Sequence, residues 1–244
     1  MTDVGAVYRR EFASYLATPV AYVFVVIFLV LAGSFTFHLG GFYERGQADL
    51  APFFNFHPWL YLFLVPAVAM RLWAEERRSG SIELLLTLPV RPGAAVLAKF
   101  LAAWTFVGLA LALTFPIWIT VAWLGDPDHG AIVAGYVGSF LMAGSFLAIG
   151  SCLSAATRSQ VIAFILTTVV CFLFLLAGFP LVLDVFRAWA PAAVVDAIAA
   201  LSFLTHFQAI AKGVLDLRDL LYFGTTIVVW LYATTLVLEL RKAD

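Results

Sequence analysis

RLWAEERRSGSIELLLTLPVRP, Arg71 to Pro92, is the dense patch of charge in a chain whose remainder reads as membrane. It carries four of the fourteen lysines and arginines: Arg71, Arg77, Arg78 and Arg91. A charged segment between two apolar runs has to sit in water, and basic residues of short loops stay on the cytoplasmic side. The segment therefore sets the orientation and marks where a cytoplasmic partner can touch.

Outward from it, apolar sequence dominates. Of 244 residues, 64% are hydrophobic and 12% charged, with a mean hydropathy of +1.01. Soluble domains carry about 25% charged residues, and a soluble core of this length cannot hide so much apolar surface. An all-α integral membrane protein is expected. The net charge of -1 and the lack of a basic stripe argue against nucleic acid as a ligand. Cys152 and Cys171 both lie in apolar runs without a CxxC, so they are read as small packing residues. The apolar run after Pro19 is too long for a signal peptide and lacks a convincing cleavage site.

A helix needs about 20 apolar residues to cross a bilayer. Charge-free windows run from Val20 to Phe37, Leu50 to Met70, Phe100 to Gly125, Ala131 to Thr157, Ser159 to Leu183, and Leu220 to Leu238. They predict six spans, about 19–40, 57–74, 94–124, 131–156, 160–183 and 220–239. The second is expected to begin near Pro58, since proline suits the first helical turn. With the N-terminus inside, ten basic residues fall inside (Arg9, Arg10, Arg71, Arg77, Arg78, Arg91, Lys99, Arg158, Arg241 and Lys242) and four outside (Arg45, Arg187, Lys212 and Arg218). That asymmetry places both termini in the cytoplasm. The segment 184–219 holds only a short charge-free run, Ala197 to Ala211, which suits a re-entrant or interfacial helix pair better than a seventh span. At the other end of the chain, Val4, Tyr8, Phe12, Tyr15 and Leu16 recur at helical spacing, with Arg9, Arg10 and Glu11 between them. An interfacial helix over 3–18 is expected, with Thr18-Pro19 bending the chain into the bilayer.

Within the opening segment, Glu75 can pair with Arg71 or Arg78 across one helix face. Ser79-Gly80-Ser81 interrupts that helix, and a second short helix runs from Ile82 to Leu88, where Pro89 and Pro92 end it. The result is an elbow over 75–92. Leu84, Leu85, Leu86 and Leu88 rest on the protein, while Glu75, Glu76, Arg77, Arg78 and Glu83 are expected to face the cytoplasm.

The run ADLAPFFNFHPWLYLFLVPAVAMRLWAEERRSGSIELLLTLPV, Ala48 to Val90, resembles the permease subunits of ABC-2-type exporters, and more narrowly the gliding-motility-type permeases. The shared features are a proline-bearing second span ending in Met70-Arg71, then Glu75-Glu76, Gly80, Glu83-Leu84-Leu85, Thr87 and Pro89. HFQAIAKGVLDLRDLLYF, His206 to Phe223, is similar to the last external segment and sixth span of the same family. The resemblance implies that the elbow is a coupling helix seated in the ATP-binding subunit, carried by Glu75, Glu76, Arg77, Arg78, Gly80, Ser81 and Glu83. Ser81 stands where many relatives have threonine.

The resemblance also implies a dimer of ATP-binding subunits holding ATP and Mg2+, and a second permease copy or paralogue. Further implied partners are membrane lipid and a periplasmic or auxiliary subunit, at a bacterial inner membrane. The expected cargo is amphiphilic or envelope-related, since a pathway without charges inside the spans suits amphiphilic or lipid-linked molecules. A motility-associated or envelope-remodelling anchor without cargo is the alternative.

No GxxxxGK[ST] occurs, so the chain encodes no phosphate-cradling loop and ATP must be handled elsewhere. His38, His57, His129 and His206 are all expected outside, near Glu44, Asp49, Asp126 and Asp128, but without the paired spacing of a metal site or an HExxH. An intramembrane enzyme built on these histidines is the reading from another class.

No charge is expected deep within a span. Thr114, Thr120, Ser139, Ser145, Thr167 and Thr168 read as interhelical hydrogen bonders. The resemblance puts spans two and five along the central path, making Pro66, Thr167 and Thr168 candidates for the substrate pathway. Pro66, Pro116 and Pro180 can each loosen a span, and Gly135, Gly138, Gly144 and Gly150 offer close helix contact.

Overall fold

The computed structural model describes residues 2–80, 91–187 and 189–240. These residues form helices and connecting turns, with no strand among them. In chain order the helices are α1 (Thr2–Ala17), α2 (Pro19–Ser34), α3 (Phe42–Arg45), α4 (Ala51–Ala69), α5 (Ala74–Ser79), α6 (Pro92–Ala112), α7 (Phe115–Leu124), α8 (His129–Ala156), α9 (Gln160–Leu176), α10 (Pro180–Arg187), α11 (Ala192–Ala200), α12 (Phe203–Ala211) and α13 (Leu217–Leu240). A π-helical turn, Phe35–Leu39, extends α2.

Proline starts the long helices where its missing N–H costs nothing: Pro19 in α2, Pro52 in α4, Pro92 in α6 and Pro116 in α7. Polar side chains start others. Asp128 accepts from the Gly130 and Ala131 amides at 2.8 and 3.1 Å to open α8, and Ser202 accepts from Thr205 N at 3.3 Å to open α12.

Among the described residues five helical stretches are long and apolar enough to cross a membrane: 19–45, 51–79, 92–124, 129–156 and 217–240. Two further pairs are bent, α9 with α10 by 71° and α11 with α12 by 62°. The chain is a multi-pass membrane protein.

Two boundaries differ from the sequence reading. The second span begins at Ala51, not near Pro58, because Asp49 accepts from Ala51 N at 3.1 Å and Pro52 takes the first-turn position. Pro58 then sits inside the helix. In the fifth predicted span, α9 ends at Leu176 and the chain turns sharply before Pro180, so 160–183 is not one straight rod.

Helix α8 is the axis of the bundle, and its small residues face different neighbours. A Cβ on Gly135 would lie 2.5 Å from Phe54 of α4; on Gly138, 2.8 Å from Ile210 of α12; on Gly144, 2.8 Å from Trp104 of α6. On Gly150 it would collide with Ala69 of α4. Without a solvent-driven force between helices in lipid, such close approach is how they cohere.

The segment before α13 dips into the bundle. Phe203, just past the α11–α12 bend, packs on Phe146 in the second half of α8. After α12, Gly213 lies against Ala131 in the first turn of α8. The His206 ring stacks on Tyr222 at 4.0 Å and its Nδ1 meets Asp219 at 2.6 Å, tying α12 to α13. At the opposite end, α1 crosses α6 through a Tyr15–Phe106 stack at 5.3 Å, and Thr235 near the end of α13 lies beside Gly93. Helix α1, the α4–α5 turn and the last turns of α13 therefore gather at one end.

Candidate functional site

Helix α5 continues α4 past a turn at Met70–Trp73 and has no side-chain cap of its own. The first amides of a helix lack intrahelical partners, and here a residue far away in sequence supplies them. Ser154 Oγ, on α8, accepts from Trp73 N at 3.1 Å and Ala74 N at 3.0 Å, and donates to Met70 O at 2.9 Å. One hydroxyl has one proton and two lone pairs, so Ser154 is fully used. It splices the end of α4 to the start of α5 on the surface of α8. Trp73, 1% exposed, adds a second tie by donating Nε1–H to Ser151 Oγ at 3.0 Å.

The charged residues of α5 then attach to helix ends. Arg77 donates to the Ala155 carbonyl at the C-terminus of α8, and Glu75 accepts from Gln160 at the N-terminus of α9. Each charge has the sign that the macrodipole of its target helix favours. Glu76 turns inward to Lys99 of α6 at 2.8 Å, and Lys99 also meets Glu11 of α1 at 3.1 Å. Lys99 is 3% exposed and lies 5.3 Å above the centre of the Trp73 ring. Burial opposes ionisation of Glu11, but Lys99 and Arg10 outweigh it and hold its carboxyl below the usual range. Tyr15 alongside is pushed up, first by burial and then by the Glu11 charge.

This corrects two sequence expectations. Glu75, Glu76 and Arg77 do not simply face outward: α5 uses them to hold α9, α6 and α8, because those helix ends and the buried ammonium offer complementary charge. Arg71 does not pair with Glu75; Arg78 does, at 3.9 Å, and its side chain is 71% exposed. Gly80 ends α5 with φ +73, a left-handed conformation that suits glycine. Ser81 and Glu83, and the second arm of the elbow with them, lie outside the described residues.

Other expectations shift too. Lys99, expected among the cytoplasmic charges, is buried two turns into α6. His57 is not in an external loop but fully buried on α4, ringed by Phe28, Phe53, Phe54 and Tyr61. His129 accepts from Trp118 Nε1 at 3.0 Å, and His206 is held by Asp219. No cluster of three or more metal-ligating side chains forms among the described residues.

The membrane hydroxyls mostly bond within their own helices, Thr120 to Pro116 O, Ser145 to Leu141 O and Thr167 to Ala163 O. Thr114, which also reaches Tyr136 across helices at 3.0 Å, follows the interhelical expectation. Pro66 is buried without interrupting α4, and Thr167 is buried beside the Gly150 backbone where α8 and α9 meet. Thr168 Oγ1 is buried without a hydrogen-bond partner among the described residues.

Sequence reasoning missed Glu11, Trp73, Lys99, Ser151 and Ser154. Two signals were present: a lysine following seven helical residues of α6, and serines three apart at the end of a helix of small residues. Replacing Ser154 with alanine is expected to cost about 1–3 kcal/mol, because buried backbone groups lose their partner. Its measure is the unfolding midpoint in detergent together with hydrogen exchange at Trp73 and Ala74. Unchanged exchange at those amides would remove the splice.

Over residues 5–240, from within α1 to the end of α13, the sequence matches the family described as ABC-2 family transporter protein. The chain belongs to that family. No curated protein matches it. Membership makes this ABC-2 chain a permease subunit of an ABC transporter, a membrane component that associates with an ABC ATP-binding subunit. The α4–α5 junction is then the part of the family chain where charge, helix ends and a break in the helix converge.

Proposed function

We propose that α5 and the segment after Gly80 form the docking elbow for the ATP-binding subunit, and that the elbow passes its motion to α8. The observation that carries this is the Ser154 splice, backed by Arg77 on the last turn of α8: a force on α5 acts at once on α4 and α8, and through Glu75 and Lys99 on α9, α6 and α1. On this reading six crossings bring both termini and the elbow to the cytoplasmic face of a bacterial inner membrane, the side favoured by the basic residues. The α11–α12 dip is the external re-entrant segment. Two six-helix halves, a homodimer or paired permeases, rock apart as the partner hydrolyses its Mg2+-bound ATP, exporting an amphiphilic or envelope-related substrate in the manner of gliding-motility-type permeases.

Arg78 is the variant of choice, since it is exposed and its partner Glu75 keeps Gln160. The chain is purified in mild detergent from its native host, and co-purifying proteins are identified by mass spectrometry. An ATP-binding subunit is expected with the natural chain. Arg78→Glu is expected to lower its retention about tenfold, the weight of one charge-assisted contact turned repulsive, with the unfolding midpoint unmoved. Full retention in Arg78→Glu would remove this face as the docking site.

A further inference from the structure

Two cavities adjoin beside the elbow and share Tyr15, Thr18 and Arg71. One, of about 210 Å³, is lined with charge: Glu11, Glu75, Glu76 and Lys99 surround it. The other, of about 200 Å³, is a groove between α2 and α4 with Val23, Ile27, Leu64 and Ala67 along its walls. Arg71 stands at the junction, half-buried, with no ion pair or hydrogen bond among the described residues. Glu76, on the polar side, leaves Oε2 buried and without a hydrogen-bond partner among the described residues.

A half-buried guanidinium without a counter-ion favours an anion, and phosphate suits its forked donors. Beyond it, Glu11 and Glu76 share Lys99, while Glu75 meets Arg78 at 3.9 Å and accepts from Gln160. Carboxylate oxygens have several lone pairs each, so the three can accept from a further cation bearing N–H groups. The apolar groove on the near side accepts hydrocarbon. The order apolar groove, single cation, acidic cavity is the order of acyl chain, phosphate and ammonium along a phospholipid.

We propose that the two cavities are one binding site for a phospholipid with a primary-amine head group, its phosphate at Arg71 and its ammonium among Glu11, Glu75 and Glu76. An anionic lipid would bring no cation to the carboxylates, and a choline head group has no N–H to donate. This site stands apart from the docking role of the elbow, because lipid retention is read on the permease chain without any ATP-binding subunit.

The test is native mass spectrometry of the full chain released from bilayer discs that hold equal amounts of phosphatidylethanolamine, phosphatidylglycerol and phosphatidylcholine. Phosphatidylethanolamine is expected to be retained about tenfold over the other two. Arg71→Gln, which removes the phosphate partner, and Ala67→Trp, which fills the groove, are each expected to abolish that preference. Unfolding midpoints check that both variants fold, and the lipid preference of the natural chain tests the site without them. Equal retention of the three lipids, or preference for phosphatidylglycerol, overturns the proposal. So does a preference unchanged in both variants, or a disulfide between two copies carrying Val23→Cys, which would mean that a second chain covers the groove.

Discussion

Replacing Lys99 with methionine is expected to destabilise the protein by about 3–5 kcal/mol, because it leaves Glu76 partly buried without its cation and Glu11 with the exposed Arg10 alone. Methionine keeps the apolar stem, so packing is largely preserved and the loss is electrostatic. Glu11 and Glu76 then face each other across the space the ammonium held, and α1 loses its ion pair to α6.

A second variant separates charge from packing. Lys99→Met combined with Glu11→Gln and Glu76→Gln carries no buried charge and is expected to recover most of the loss, as neutral replacements of buried ion groups often do. The measurement is the unfolding midpoint in detergent, followed against pH. Glu11 has a lowered pKa in the folded protein, so its contribution is present above the ordinary value of 4.5 and fades as pH falls through the folded value. Lys99→Met should flatten that acid-side slope. A natural midpoint in the single variant would show that the three residues do not act as a unit.

The helical architecture was legible in the sequence because bilayer length and hydropathy are local properties. The charge-free windows that predict spans 94–124 and 131–156 fall on stretches that the structure shows as α6–α7 and α8. The small residues of α8 announced close packing, and Gly144 against Trp104 is an instance. Ser79-Gly80 likewise marked the break after α5.

What could not be read was partnership across distance. Nothing in the neighbourhood of Trp73 points to Ser154, which lies on another helix yet caps α5. Glu76 and Arg77 look like solvent charges by composition, and only the positions of Lys99 and the end of α8 turn them inward. The Pro58 boundary failed for a local reason that was visible: Asp49 and Pro52 together form a better helix start, upstream of a second proline the helix absorbs. By sequence Lys99 reads as one of the charges that orient the chain, a role that says nothing of burial.

Trp73→Ala is the other large effect, expected to cost about 3–5 kcal/mol as a buried aromatic is replaced by a cavity. It also strands Ser151 Oγ and takes the aromatic face from Lys99. Trp73→Phe keeps a ring beside Lys99 and loses the Ser151 bond, a cost of about 1 kcal/mol. The pair of variants asks whether the junction transmits motion or only stabilises. If α5 drives α8 through this junction, the chain assembled with its ATP-binding subunit should show an ATP-dependent change in hydrogen exchange at the last turn of α8, around Ser154 and Ala155. Trp73→Phe should retain that change and Trp73→Ala should lose it, at a temperature where both are folded and ATP is still hydrolysed. Retention of the change in Trp73→Ala would mean that force reaches α8 without the indole, through the Ser154 hydroxyl on the backbone amides of residues 73 and 74 and through Arg77 on the Ala155 carbonyl, which the substitution leaves in place.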